Sequence, residues 1–587
     1  MWIVSAVADP RPPMAAMPFR PLTIIAKDPG LRIGGKNGPM AFAQVDVAAE
    51  KLAKGPIGYR IKVVDYNATD RVTYQDMQDY EDAQKQPVDP FAPREGETWM
   101  SPAYQARLIG DPNFHAQNAY AIAMRTLWQF EHALGRRVRW SFGGHQLHIA
   151  PHAFAQANAF YSEPDRTLMF GYFRNARGEP IYTALSHDIV AHETTHALLD
   201  GLRTHYTEAS MPDQAALHEG FADIVALFSV FSIKQVVAAA IGEDGTYAKD
   251  DTRVALVRAS KLTPEKLKQS MFMGIGAQFG RALNETGDLR HSVLRTPADF
   301  QAEMGDEHDR GELIVAILTQ TFVTLWHKRI AALGKFGRKY NLTMVVEEGA
   351  KLAQQLLTMC IRGIDYCPPT DIDFGQFIAG VLTCDREVAP DDSQFNYRQV
   401  LRDTAAEYGV RPPADQCDAE GCWKPFVAKQ PPLSYMRSNF DAMTRSKDEL
   451  FRFLWENRDE FAISTRAYTK VVSIDAAHRT GPDGINLCET ICQYSQRVDL
   501  YGAETEAVLG FVRPPEIGHQ AHCTAFGGGV LILDQYGQVK YHIANPLKGG
   551  QRQFDRLVHL AETGELDGRK RIGAMRFALC HMDRMGA

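Results

Sequence analysis

No apolar run in the chain reaches the roughly 20 residues that a membrane-crossing helix needs, so no helical span and no membrane partner is expected. The opening Met-Trp-Ile-Val-Ser-Ala-Val-Ala-Asp-Pro has no basic leader, and its apolar run is short. A secretory signal is therefore not expected, and Met14 or Met17 is an alternative start. Positive charge is not in excess either. Sixty-four Lys and Arg stand against 71 Asp and Glu, for a net charge of -7. That balance argues against non-specific nucleic-acid binding. Cysteine is sparse, with nine scattered residues in 587. The odd count suits a reducing compartment, so a cytoplasmic location is expected. Cys417/Cys422 and Cys488/Cys492 have no matching His/Cys partners nearby and read as thiols rather than halves of metal sites. Gly34-Gly-Lys-Asn-Gly-Pro lacks the spacing of a phosphate loop and reads as a turn. Hydrophobic residues at 45% and charged residues at 23% are ordinary for a globular chain, and the length predicts more than one domain.

What is present is concentrated in residues 186–223. Ser186-His-Asp-Ile-Val-Ala-His-Glu-Thr-Thr-His-Ala-Leu-Leu-Asp200 predicts a helix. Ser186 is a candidate N-cap, Asp188 suits the first turn, and Gly201 is a candidate stop. His192 and His196 stand four apart, so on a helix both imidazoles reach one metal ion from one face. Glu193 lies beside the first histidine, in the H-E-x-x-H arrangement of zinc metallopeptidases. A catalytic zinc usually takes three protein ligands. Glu219 follows His196 by 23 residues, within Leu-His-Glu-Gly-Phe-Ala-Asp-Ile-Val-Ala-Leu-Phe, which reads as a second, buried helix. Asp223 shares its face and suits a carboxylate that orients a ligand imidazole. Two acids on an apolar helix are costly to bury unless a metal and a histidine partner them.

With His192-Glu193-Thr194-Thr195-His196, Asp200 and Glu219-Gly220-Phe221-Ala222-Asp223, the chain resembles the thermolysin-like gluzincin metallopeptidases. The resemblance implies zinc bound by His192, His196 and Glu219, and Glu193 as general base. It implies Asp200 and Asp223 as orienters of the ligands. One departure is His218, where the family often has Asn. Asn158-Ala159-Phe160-Tyr161 followed by Leu168-Met-Phe-Gly-Tyr172 looks like the family's substrate-binding edge strand and its hairpin partner. By the same resemblance His308 stabilises the oxyanion, with Glu303 or Asp306 holding its ring. Tyr206 is a second oxyanion donor, with His205 competing for that place. Arg290 binds a substrate carbonyl, and Ile189 and Leu289 line the pocket for the residue after the cut. The implied partner is a peptide or protein substrate.

The expected fold is α+β. A two-lobed zincin domain over residues 101–410 has a β-rich upper lobe and a helical lower lobe. Residues 1–100 form an N-terminal α/β or β region ending in a Pro-rich connector. A Pro/Cys-rich linker, 411–432, leads to a C-terminal α+β domain, 433–587, which the resemblance does not explain. Expected strands include Arg60–Asp65, Arg71–Tyr74, Arg137–Phe142 and Gln146–Ile149. Expected helices include 115–134, Leu313–Trp326, Met344–Cys360 and Asn439–Phe461. A hairpin is expected around Asp534–Gly537. The expected activity is cleavage of internal peptide bonds, because no Gly-x-Met-Glu-Asn motif precedes the first helix. Two alternatives stand beside it: an aminopeptidase of the same family, and a zinc-binding interaction protein with vestigial hydrolysis.

Overall fold

A buried helix, Pro112–Leu134, runs under the N-terminal half and separates its sheets from the helices that follow. Asp111 caps it by accepting from the Asn113 N–H at 3.0 Å, Pro112 occupies its first turn, and Gly135 ends it in the left-handed region. The computed structural model describes residues 19–30, 40–50, 52–74, 78–83, 86–175, 177–208, 210–241, 255–271, 295–300, 307–428, 433–435 and 439–566, without the side chains of 270, 271, 307 and 308.

The architecture is mixed α+β. Above the long helix lies a mixed five-stranded sheet. Ile61–Val63 pairs parallel with Leu147–Phe154, which pairs parallel with Thr167–Arg174. Ala159–Ser162 then pairs antiparallel with Thr167–Arg174 and ends the order, while Pro180–Tyr182 pairs with the far end of the same strand. A separate antiparallel pair, Phe19–Ile25 with Phe42–Ala48, also packs on the long helix. Below it come helices His187–Leu202, Pro212–Phe231, Glu307–Ala332, Leu342–Gly363 and Phe374–Val388. One continuous hydrophobic cluster, from Leu22 to Cys422, joins the sheets to these helices.

The C-terminal part is a four-stranded antiparallel meander: Tyr468–Thr480, Asn486–Tyr501, His522–Leu533 and Val539–Asn545. Successive side chains on a strand point to opposite faces. Val530 and Ile532 therefore pack on helix Phe374–Val388, whereas Leu531 and Leu533 pack on helix Lys447–Glu456. Covering both faces explains why this strand is apolar without alternation. Buried ion pairs fix the junction. Asp365 meets Arg136 at 2.6 Å and also Arg479, and Arg479 reaches Glu489 at 2.9 Å.

Several expectations differ from what the structure contains. Arg137–Phe142 is not a strand. Its alternation is real, with Val138, Trp140 and Phe142 buried, but the Val138 carbonyl is taken by the Arg60 guanidinium at 2.6 Å instead of a ladder. Arg71–Tyr74 keeps only the two-residue strand Val72–Thr73. An additional helix, Pro102–Ile109, precedes the long one. Within the expected linker Cys417, Cys422 and Trp423 are buried, and the Trp423 indole donates to the Tyr366 carbonyl at 2.8 Å.

Helices Pro212–Phe231 and Glu307–Ala332 approach each other closely at Gly220 and Gly311. A methyl group at Gly220 would lie 2.6 Å from the Gly311 carbonyl and 2.6 Å from an Ile314 methyl. Gly220→Ala must therefore push helix Glu307–Ala332 away. We expect it to lower the free energy of unfolding by about 1–3 kcal/mol, the usual cost of overpacking, read from urea denaturation. A wild-type midpoint would mean that the crossing can relax.

Among the described residues, no single helix is long and apolar enough to cross a membrane.

Candidate metal centre

The H-E-x-x-H segment lies on helix His187–Leu202, which is buried along nearly its whole length. Such burial needs satisfied polar groups. The Thr194 and Thr195 hydroxyls donate back to the carbonyls of Val190 and Ala191, at 2.6 and 2.7 Å. Ser186 stands at the N-cap position, but its hydroxyl goes to the Asp188 carboxylate rather than to a backbone N–H. Gly201 does not stop the helix, which ends at Leu202. Its missing side chain instead admits the Arg139 carbonyl.

One turn of helix brings His192 and His196 together, with Nε2 atoms 2.9 Å apart and rings crossing at 89°. Helix Pro212–Phe231 presents Glu219 to the same place. Its carboxylate oxygens lie 3.5 Å from His192 Nε2 and 3.6 Å from His196 Nε2. Glu193 completes a buried group with the two histidines, whose ligand atoms lie within 4.8 Å of one another. This group can hold a metal ion.

The outer ring nitrogens are also engaged. His192 Nδ1 meets the Asp223 carboxylate at 2.8 Å, as expected from the shared helix face. A carboxylate accepts, so His192 carries its proton on Nδ1 and turns the Nε2 lone pair inward. His196 Nδ1 meets His218 Nδ1 at 2.9 Å, with the two rings nearly parallel. Burial pushes the His218 pKa down to about 4, so it is neutral, and its Nδ1 accepts where His196 carries its proton on Nδ1. The Nε2 lone pair of His196 then also turns inward. Two imidazole lone pairs and a carboxylate around one point form a donor set suited to a metal cation.

The edge strand passes alongside. The Tyr161 backbone N–H donates to Glu193 Oε2 at 3.1 Å. Asn158 and Ala159 are buried at the start of this strand, and the Ala159 N–H donates to the Asn158 side chain at 2.8 Å. Ile189, half-buried, lies one turn before Glu193 on the motif helix.

Two expected roles need correction. Asp200 does not orient a ligand imidazole. Its carboxylate lies 3.4 Å from the Tyr161 hydroxyl, which also meets Ser141 at 3.0 Å. Burial pushes the Asp200 pKa up to about 6. The position that holds His196 is taken by His218, the residue at which the sequence pointed to a differing contact. Nor is Tyr206 aimed at the histidines: its buried hydroxyl donates to the Pro368 carbonyl at 2.8 Å. The competing His205 pairs with Glu208 at 3.0 Å and packs on Phe526. His308 is the second residue of helix Glu307–Ala332, one turn before the Gly311 crossing, and its side chain is outside the described set. Glu303, Asp306, Leu289 and Arg290 lie outside the described residues.

No protein-family model matches the chain. No curated protein matches it either.

Proposed function

We propose that the chain is a zinc-dependent endopeptidase. The observation that carries this reading is the convergence of His192, His196 and Glu219 from two helices, with Glu193 beside them and a strand edge alongside. Zinc held by those three residues would supply a Lewis acid for the scissile carbonyl and its attacking water. Glu193 takes the proton from that water and returns it to the departing amine, so that one water is consumed for each peptide bond broken. Asp223 and His218 hold the two imidazoles in the tautomer that faces inward. An extended peptide lies along Ala159–Ser162 and adds to it as a further strand. His308, at the start of its helix, stabilises the oxyanion.

The test is cleavage of a mixed peptide library by the zinc-loaded full chain, read by mass spectrometry. Internal cuts that stop on chelation and return with zinc are expected. Cuts confined to the first residue would make the protein an aminopeptidase. Stoichiometric zinc with no cuts at all would overturn the peptidase reading.

A further inference from the structure

The segment joining the two site helices is gripped by residues far along the chain. The Arg203 guanidinium donates to the Ile364 carbonyl, and the Tyr206 hydroxyl donates to Pro368. The Ser210 hydroxyl donates to the Asp371 carboxylate. The Asp371 N–H donates at 2.7 Å to the side chain of Gln214, in the first turn of the helix that carries Glu219. Asp371 itself is buried with φ +52, in the left-handed region that aspartate adopts more readily than most residues, and its carboxylate and carbonyl are held by their surroundings.

Those surroundings come from the C-terminal helix, Gln551–Thr563. Arg556 Nε lies 2.9 Å from the Asp371 carboxylate, the Gln553 amide donates to the same carboxylate at 3.3 Å, and Arg552 donates to the Asp371 carbonyl at 2.6 Å. Arg556 is itself buried. The other site helix is held from the C-terminal sheet. The Gln493 amide donates at 3.2 Å to the carbonyl of Leu202, the last residue of His187–Leu202, which also accepts from Arg203 at 3.0 Å. That carbonyl is one of the acceptors that a helix end leaves without an intrahelical partner.

We propose that the C-terminal sheet and helix are a positioning element for the metal centre. Gln493 fixes the end of the helix bearing His192 and His196, while Arg556, through Asp371 and Gln214, fixes the start of the helix bearing Glu219. The proposal rests on reading the centre as a zinc site, and it adds what sets the separation of its ligands. Helices move as rigid bodies, so a shift at Gln214 is delivered five residues on, at Glu219. A ligand carboxylate displaced by about 1 Å no longer closes the site well.

The experiment uses the full chain carrying Arg556→Met, Arg556→Lys, Gln493→Leu or Ser210→Ala. Zinc affinity is measured by chelator competition, beside the melting temperature of zinc-free protein and the kcat and KM for a cleaved peptide. Arg556→Met should weaken zinc binding by about three- to ten-fold, within the range found for residues that modulate a site without touching its ligands. Arg556→Lys should recover part of that loss, and kcat should fall more than KM rises. Gln493→Leu and Ser210→Ala should weaken zinc binding by about two- to five-fold; they decide the matter if Arg556→Met does not fold. Folded variants that melt lower yet bind zinc with wild-type affinity would reduce these residues to structural supports and overturn the proposal. A wild type that binds zinc but cleaves nothing would sink the peptidase reading alone, because the affinity series still tests positioning. A wild type that binds no zinc would sink both.

Discussion

Glu193→Gln is expected to lower turnover of a cleaved peptide by about 10³-fold, within the range that general acid–base groups contribute. Its zinc content and melting temperature should stay at or above those of the wild type. The side chain keeps its shape, and an amide oxygen can still accept from the Tyr161 N–H that now meets the carboxylate at 3.1 Å. His192, His196 and Glu219 are untouched. What disappears is the basicity that takes the proton from water. Replacing a buried carboxylate, only 2% exposed, with a neutral amide also removes a desolvation cost, so stability should not fall. Single-turnover kinetics beside metal analysis separates the effects. Retention of more than about a tenth of wild-type turnover would remove Glu193 from the base role. Loss of zinc in this variant would instead show Glu193 to be a ligand.

Much of this centre could be read from spacing alone. Residues four apart on a helix share a face, and that places His192 over His196 and Glu219 beside Asp223 without any knowledge of the fold. The expectation failed where a contact depends on how two helices cross. Asp200 also stands four residues after His196, and by spacing it is as good an orienter as Asp223. Yet His196 Nδ1 points across to the neighbouring helix, where His218 waits, and Asp200 reaches up to Tyr161 in the sheet. That contact depends on how helices His187–Leu202 and Pro212–Phe231 pack on each other, and no pattern local to the motif shows it.

The same division runs through the fold. Helices with long apolar periods, such as Leu342–Gly363, and the hairpin closed by Asp534–Gly537 were legible because their signals are local. Arg137–Phe142 misled because alternating burial arises as well in an extended stretch whose carbonyl is bound by an arginine. Residues 411–428 read as a linker from proline and cysteine, and no local signal shows that Trp423 and Cys422 within them are buried against helices that lie earlier in the chain. Non-local burial of this kind leaves no periodic mark.

Glu219→Ala should abolish tight zinc binding. Structural zinc sites contribute about 10–16 kcal/mol shared among their ligands, so one carboxylate is worth roughly 3 kcal/mol, more than a hundred-fold in affinity. Only His192 and His196 would remain of a three-residue set. The stabilisation that zinc confers at fixed concentration should shrink by about 2.7 kcal/mol for each hundred-fold loss of affinity, so the rise in melting temperature on adding zinc should largely vanish. Metal-free protein should respond differently. Glu193, Glu219 and Asp223 are three buried acids around the two histidines, and removing one relieves repulsion and desolvation in the absence of a cation. Calorimetry with and without zinc reads both effects in one experiment. The result also bears on Glu193, because its carboxylate belongs to the same compact group as the histidines. If Glu219→Ala binds zinc as tightly as the wild type, the third donor must come from elsewhere in that group. Glu193 is then the nearest candidate. A carboxylate engaged as a ligand cannot also serve as the base, and the peptidase mechanism would fall with that result.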